Sequence, residues 1–79
     1  MEKAQANQKF GSFIKSLRKE NNMTQLDLSI KIQNNFQNIS SLERGEFSPS
    51  LHYLHNLASA FDLSLTEFIA RYEDFAQGT

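Results

Sequence analysis

Four helix-start signals cut this chain into short lengths, and their spacing leaves few folds open. Thr24-Gln25-Leu26-Asp27 places a hydroxyl at an N-cap and a carboxylate three residues on, a capping box with Asp in place of Glu. Asn35 is a second N-cap residue. Ser48-Pro49 reads as a third, a cap followed by proline at the first helical position. Ser64-Leu65-Thr66-Glu67 is the fourth, a full capping box.

Apolar residues recur at helical spacing around these signals. The first segment, about Gln8 to Glu20, carries Phe10, Phe13, Ile14 and Leu17, and the poor helix formers Asn21 and Asn22 end it. The second follows Thr24 with Leu28, Ile30 and Ile32; the third follows Asn35 with Ile39 and Leu42 and stops at Arg44-Gly45, where glycine suits a left-handed residue. Leu51, Leu54, Leu57, Ala58 and Phe61 stripe the fourth, and Leu65, Phe68, Ile69, Tyr72 and Phe75 the fifth. Strand-like alternation is missing throughout. The expectation is an all-α, five-helix domain over residues 8–75, with a flexible N-terminal arm at 1–7 and a tail at 76–79.

Composition narrows the functions. A chain of 79 residues holds one domain with a modest core, which a dimer would reinforce. It has no cysteine, so a disulfide framework, a thiolate zinc site and a cysteine nucleophile are excluded. No apolar run approaches the roughly 20 residues that span a bilayer, and the polar start at Met1–Asn7 lacks a signal peptide's apolar stretch, so a cytoplasmic protein is expected. No nucleophile–base pair and no glycine-rich phosphate loop stands out, which argues against an enzyme or a bound cofactor. His52 and His55 are spaced like half a metal site but have no carboxylate at a telling distance along the chain, so no metal is expected. The net charge of −1 divides into +3 over residues 1–45 and −4 over residues 46–79, so one half can face an acidic polymer.

Only Gln33-Asn34 separates the second and third segments, the arrangement of a helix-turn-helix. With Ile39 and Leu42 turned inward, Phe36, Gln37, Ser40, Ser41 and Arg44 share the outer face of the third helix. That face is rich in hydrogen-bonding groups and carries no carboxylate. Gln37 suits adenine, the serines bond either way, and Phe36 suits a thymine methyl or the core. Gln25, Asn34 and Asn35 stand at helix N-termini, where amides meet phosphate.

Here the chain resembles the Xre/Cro-type helix-turn-helix family of bacterial and phage regulators. The resemblance rests on Leu17-Arg18, Thr24-Gln25-Leu26-Asp27-Leu28-Ser29, Ile39-Ser40, Leu42-Glu43-Arg44-Gly45, Ser48-Pro49-Ser50 and Leu57-Ala58-Ser59-Ala60-Phe61-Asp62-Leu63-Ser64, in order over about residues 10–70. It implies a lambda-repressor-like fold with the second and third helices as the motif. It implies DNA contacts from Gln25 and Gln37, base-facing positions at Phe36 and Ser41, a phosphate contact from Arg44, and an ion pair between Arg18 and Glu43. Three departures accompany it. Gln33 stands where the family often has glycine, so the turn uses a strained residue or shifts onto Asn34; Ser29 replaces a close-packing alanine; and Glu46 follows the third helix without a lysine, which weakens phosphate binding.

Phe68, Ile69, Tyr72 and Phe75 exceed what so small a core needs, and the resemblance to short family members that pair through their last helices makes them the expected dimer interface. The leading expectation is a homodimeric repressor on double-stranded DNA with a palindromic operator. The rivals are an interaction module of the same fold that no longer binds DNA and an antitoxin, with a toxin or anti-repressor as protein partner.

Overall fold

The computed structural model describes residues 2–78, and among them run five helices: α1 Lys3–Glu20, α2 Gln25–Lys31, α3 Phe36–Glu43, α4 Leu51–Ala60 and α5 Leu65–Gly78. Four of them end in one device. A residue in the left-handed region follows the helix, and the next N–H reaches back to a carbonyl five residues earlier, satisfying groups the helix leaves open. The left-handed residues are Asn22, Gln33, Gly45 and Asp62, with φ of 56°, 55°, 76° and 57°. The returning bonds are Met23 N to Arg18 O (3.0 Å), Asn34 N to Ser29 O (2.9 Å), Glu46 N to Ser41 O (3.0 Å) and Leu63 N to Ala58 O (2.9 Å). Asparagine and aspartate visit this region at low cost. Gln33 does not, so the tight turn between α2 and α3 is made with the strained residue and not by a shift onto Asn34.

The helix starts follow the side chains. Asp27 N donates to Thr24 Oγ1 (3.0 Å) while Thr24 N donates to Asp27 Oδ2 (2.9 Å). Asn38 N donates to Asn35 Oδ1 (2.8 Å), and Ser64 and Glu67 exchange bonds of 3.0 and 3.1 Å. At α4 the cap is Ser50 and not Ser48: Tyr53 N donates to Ser50 Oγ (3.1 Å), whereas the Ser48 hydroxyl is turned to Asn7 Oδ1 (3.0 Å). Pro49 therefore lies before the cap.

Both ends differ from expectation. In place of an arm, residues are helical from Lys3 on, because Glu2 N donates to Gln5 Oε1 (3.3 Å) and Ala4, Gln5 and Ala6 favour helix. In place of a tail, α5 continues to Gly78. Met1 of the expected arm and Thr79 of the expected tail lie outside the described residues.

The core gathers around α1. Phe10, Phe13, Ile14 and Leu17 meet Leu28, Ile39, Leu42, Leu57, Ala58, Phe61 and Phe68, all buried. Phe10 and Phe13 stack against Phe68 and Tyr72 with ring centroids 5.4–6.1 Å apart, and Phe75 joins Phe13 at 5.6 Å. Two stripe members are not core: Ile30 and Leu51 are exposed. α1 also touches α3 closely. A methyl at Gly11 would stand 2.5 Å from Leu42 O and 2.6 Å from Glu43 O, so only glycine lets the two backbones approach here.

Candidate nucleic-acid interface

The last residue of α3, Glu43, is the point where three helices are tied. Arg18 of α1 donates to it through Nε (2.7 Å to Oε2) and Nη2 (3.0 Å to Oε1), and Gln25 of α2 donates through Nε2 (3.1 Å to Oε1). The third arm of the guanidinium, Nη1, donates to Met23 O at 2.7 Å. The side chains of Arg18 and Glu43 are 10% and 5% exposed, so the pair is shielded from water. The hydrogen bonds that Arg18 donates to Glu43 raise the Arg18 pKa against the opposing pull of burial, and the guanidinium stays charged. Gly11, the close approach of α1 and this pair fix where α3 points.

The outward face of α3 carries Phe36, Gln37 and Asn38, all exposed, followed by Ser40, Ser41 and Arg44. Phe36 is 50% exposed, so it is not tucked into the core. Arg44 folds back over the serines, with Nη1 2.5 Å from Ser40 Oγ and Nη2 3.4 Å from Ser41 Oγ. The face is not free of carboxylate, contrary to the sequence reading. The left-handed turn at Gly45 swings Glu46 back onto Arg44, with Nε–Oε2 at 2.6 Å and Nη2–Oε1 at 3.2 Å. The side-chain hydrogen bond to Arg44 lowers the Glu46 pKa, and the same bond raises that of Arg44.

The residues before α3 act first on their own backbone. Asn34 Oδ1 accepts from Asn35 N (2.8 Å) and from Asn38 Nδ2 (2.6 Å), and Asn35 Oδ1 caps the helix. Gln25 lies beside the end of α3 through its bond to Glu43, so the expected contributions of α2 and α3 fall on one region. Ser29, in place of the usual alanine, is buried but satisfied, since its hydroxyl donates to Leu26 O at 2.7 Å.

The expected dimer stripe divides. Phe68 is fully buried within the chain and cannot meet a partner, because Phe10 and Phe13 cover it. Tyr72 leans on the same two rings and Phe75 on Phe13, and both are part-buried. Ile69 remains part-exposed beside Leu65, Thr66, Ala70 and Glu73, which line a shallow apolar groove on α5. Sequence reasoning missed Gly11, whose signal was a glycine inside a helical stripe, and it saw the sign of Glu46 but not its partner. Among the described residues no group of three His, Cys, Asp or Glu side chains could hold a metal, and no helix is long and apolar enough to cross a membrane.

Known proteins agree with this geometry. The HTH_3 family model, described as helix-turn-helix, matches residues 14–68. The clp gene regulator ClgR from Corynebacterium glutamicum has a similar structure, with a TM-score of 0.75 and 20% identity over 86% of this chain and 88% of that one. An HTH_3 family transcriptional regulator from Vibrio cholerae gives a TM-score of 0.79 and 22% identity over 96% of this chain, which spans 42% of that protein. At such identities the likeness shows the fold alone, and no curated protein matches in sequence. A family match over more than half the chain goes further: with its lambda-repressor-like five-helix fold, the chain belongs to the HTH_3 (Xre/Cro-type) helix-turn-helix family of DNA-binding transcriptional regulators, which are not enzymes.

Proposed function

We propose that this chain is a homodimeric repressor that reads a palindromic operator through the major groove with α3. The observation that carries the reading is the outward face of α3: Phe36 and Gln37 stand exposed, while the Arg18–Glu43–Gln25 tie fixes the helix behind them. Gln37 and Ser41 face bases, and Ser40 supports them. Arg44, Gln25, Asn34 and Asn35 flank the phosphates, the two asparagines with side-chain Nδ2 groups that make no hydrogen bond among the described residues. Repression follows from occupancy alone, which needs no further surface. Such a regulator works where the DNA is, in the cytoplasm.

The second copy packs on the α5 groove around Ile69 and Leu65, with Tyr72 and Phe75 at its edge. This pairing sets two recognition helices about 34 Å apart, one turn of duplex. Ala70→Arg places a charge in that groove without touching the core, and is expected to give a monomer in equilibrium sedimentation at micromolar concentration where the native chain is a dimer.

The test of the reading is selection from a random duplex pool at moderate salt, with a Gln37→Ala, Ser41→Ala variant alongside. A palindrome with half-sites one turn apart, lost or altered in the variant, supports it. No enrichment by folded protein contradicts it. A second reading, a module that binds a protein such as a toxin or an anti-repressor, is favoured by the Arg44–Glu46 pair, which neutralises the one cation of the α3 face. Salt separates the two: DNA binding falls steeply as counterions are released, and an apolar protein interface does not.

A further inference from the structure

The chemistry of the α3 face also indicates which bases it reads, an inference that rests on the DNA-binding reading above. In the major groove guanine offers two acceptors, O6 and N7, and is matched by the paired donors of arginine or lysine. Adenine offers one acceptor, N7, and one donor, N6, and only a carboxamide carries the complementary pair on one planar group. Cytosine offers a donor that a carboxylate accepts. Sequence and geometry sort these possibilities.

Five of the six residues at 33–38 are carboxamides: Gln33, Asn34, Asn35, Gln37 and Asn38. Asn34 and Asn35 spend their side-chain oxygens, and Asn38 its Nδ2, on one another and on the start of α3, so none of the three keeps both a donor and an acceptor open. The Gln37 side chain is exposed and makes no hydrogen bond among the described residues, so both its donor and its acceptor are available. The sixth residue, Phe36, is half exposed beside it.

Guanine-reading groups are scarce on this face. Arg44 is its one cation, and that guanidinium is closed on both oxygens of Glu46 and on two serine hydroxyls. Lys31, at the end of α2, lines a groove with Gln33 and with His52 and Asn56 of α4, and no residue of α3 lines it. The two nearby carboxylates are also engaged, Glu43 by Arg18 and Gln25 and Glu46 by Arg44, which leaves none for cytosine.

We propose that the half-site under α3 is made of A·T pairs: Gln37 bonds N6 and N7 of an adenine, Phe36 packs on a thymine methyl, and the Arg44–Glu46 pair keeps the one guanine-reading side chain off the bases. Affinity on such a site comes with little cationic base contact, in keeping with the net charge of −1.

Selection from a random duplex pool, followed by binding to the selected duplex with 7-deazaadenine at single positions, tests this. The expected result is a half-site of A·T pairs under α3. At one of them, loss of adenine N7 removes one of the two bonds and weakens binding by part of the about 5- to 150-fold that a whole bidentate base contact carries. The penalty disappears in Gln37→Ala, which removes the group that senses N7 from an exposed position and leaves the fold intact. A palindrome with an invariant G·C pair at the positions α3 covers overturns the inference and leaves the DNA-binding reading standing. A 7-deazaadenine penalty that persists unchanged in Gln37→Ala overturns the role of Gln37. Failure to enrich any duplex overturns both readings.

Discussion

Removing Glu43 is expected to do more harm than any other single change to a charged residue. Glu43→Ala leaves the Arg18 guanidinium in a site where the side chain is 10% exposed, with Met23 O as the acceptor that remains to it in place of three oxygens. Breaking a buried pair by deleting one partner costs about 3–5 kcal/mol, most of it the penalty of the charge left behind. A chain of this length has about 4–12 kcal/mol of total stability at the usual per-residue range. Each kcal/mol moves the midpoint of a small domain by about 4–8 °C, so Tm should fall by about 12–40 °C. Thermal unfolding followed by far-ultraviolet circular dichroism reads this directly. The double variant Arg18→Met, Glu43→Leu separates charge from shape, because apolar side chains of similar volume often replace a buried pair without loss. It should recover most of the drop. A Glu43→Ala midpoint within about 3 °C of native would refute the reasoning, since a guanidinium stranded in a dry site cannot be that cheap.

Four further outcomes follow from the geometry. Gln33→Gly removes a left-handed penalty of about 1–2 kcal/mol and adds about 0.5–1 kcal/mol of chain entropy, so calorimetry should show Tm a few degrees higher. Gly11→Ala puts a methyl 2.5 Å from Leu42 O; overpacking of about 1–3 kcal/mol outweighs the helix-propensity gain of about 1 kcal/mol, and because α3 must shift, DNA affinity should fall along with Tm. Glu46→Gln frees Arg44 for a phosphate, so affinity should rise and the slope of log K against log salt should steepen by about 0.9 for each phosphate gained. The backbone bonds from Thr24 and Ser64 lower the pKa of Asp27 and Glu67, so the stability these carboxylates add is present above about pH 4 and is lost as pH falls through their lowered folded values. Tm measured from pH 6 to 2.5 should therefore decline at the acid end, less steeply in Asp27→Asn, Glu67→Gln.

What could be read from the sequence was short-range. Thr24–Asp27, Asn35 and Ser64–Glu67 cap their helices through atoms within three residues, so local pattern was enough. The start of α1 escaped because Lys3 to Asn7 carries no large apolar residue, and apolar periodicity is silent there even though the composition favours helix. Ser48 and Ser50 are equally good caps on paper; the choice is made by Asn7, 41 residues away, which takes the Ser48 hydroxyl.

The same limit applies at the interface. The Phe68–Ile69–Tyr72–Phe75 stripe showed that α5 is amphipathic, but which part stays open depends on where Phe10 and Phe13 cross it. Glu46 was visible as a charge after α3, while its return onto Arg44 depends on the backbone turn at Gly45. A glycine inside the α1 stripe was a local signal at Gly11, but the partner it meets, the end of α3, depends on a crossing of the two helices that local pattern does not encode.

The central claim, that α3 is the surface that reads DNA, is tested most directly by a nitrogen–proton NMR titration of the labelled chain with its selected duplex. The expected result is a set of large shifts concentrated on residues 34–46 and the start of α2, with the core amides of α1 and the groove residues of α5 little changed. Shifts confined to α5, or none from a folded chain at saturating duplex, would contradict it.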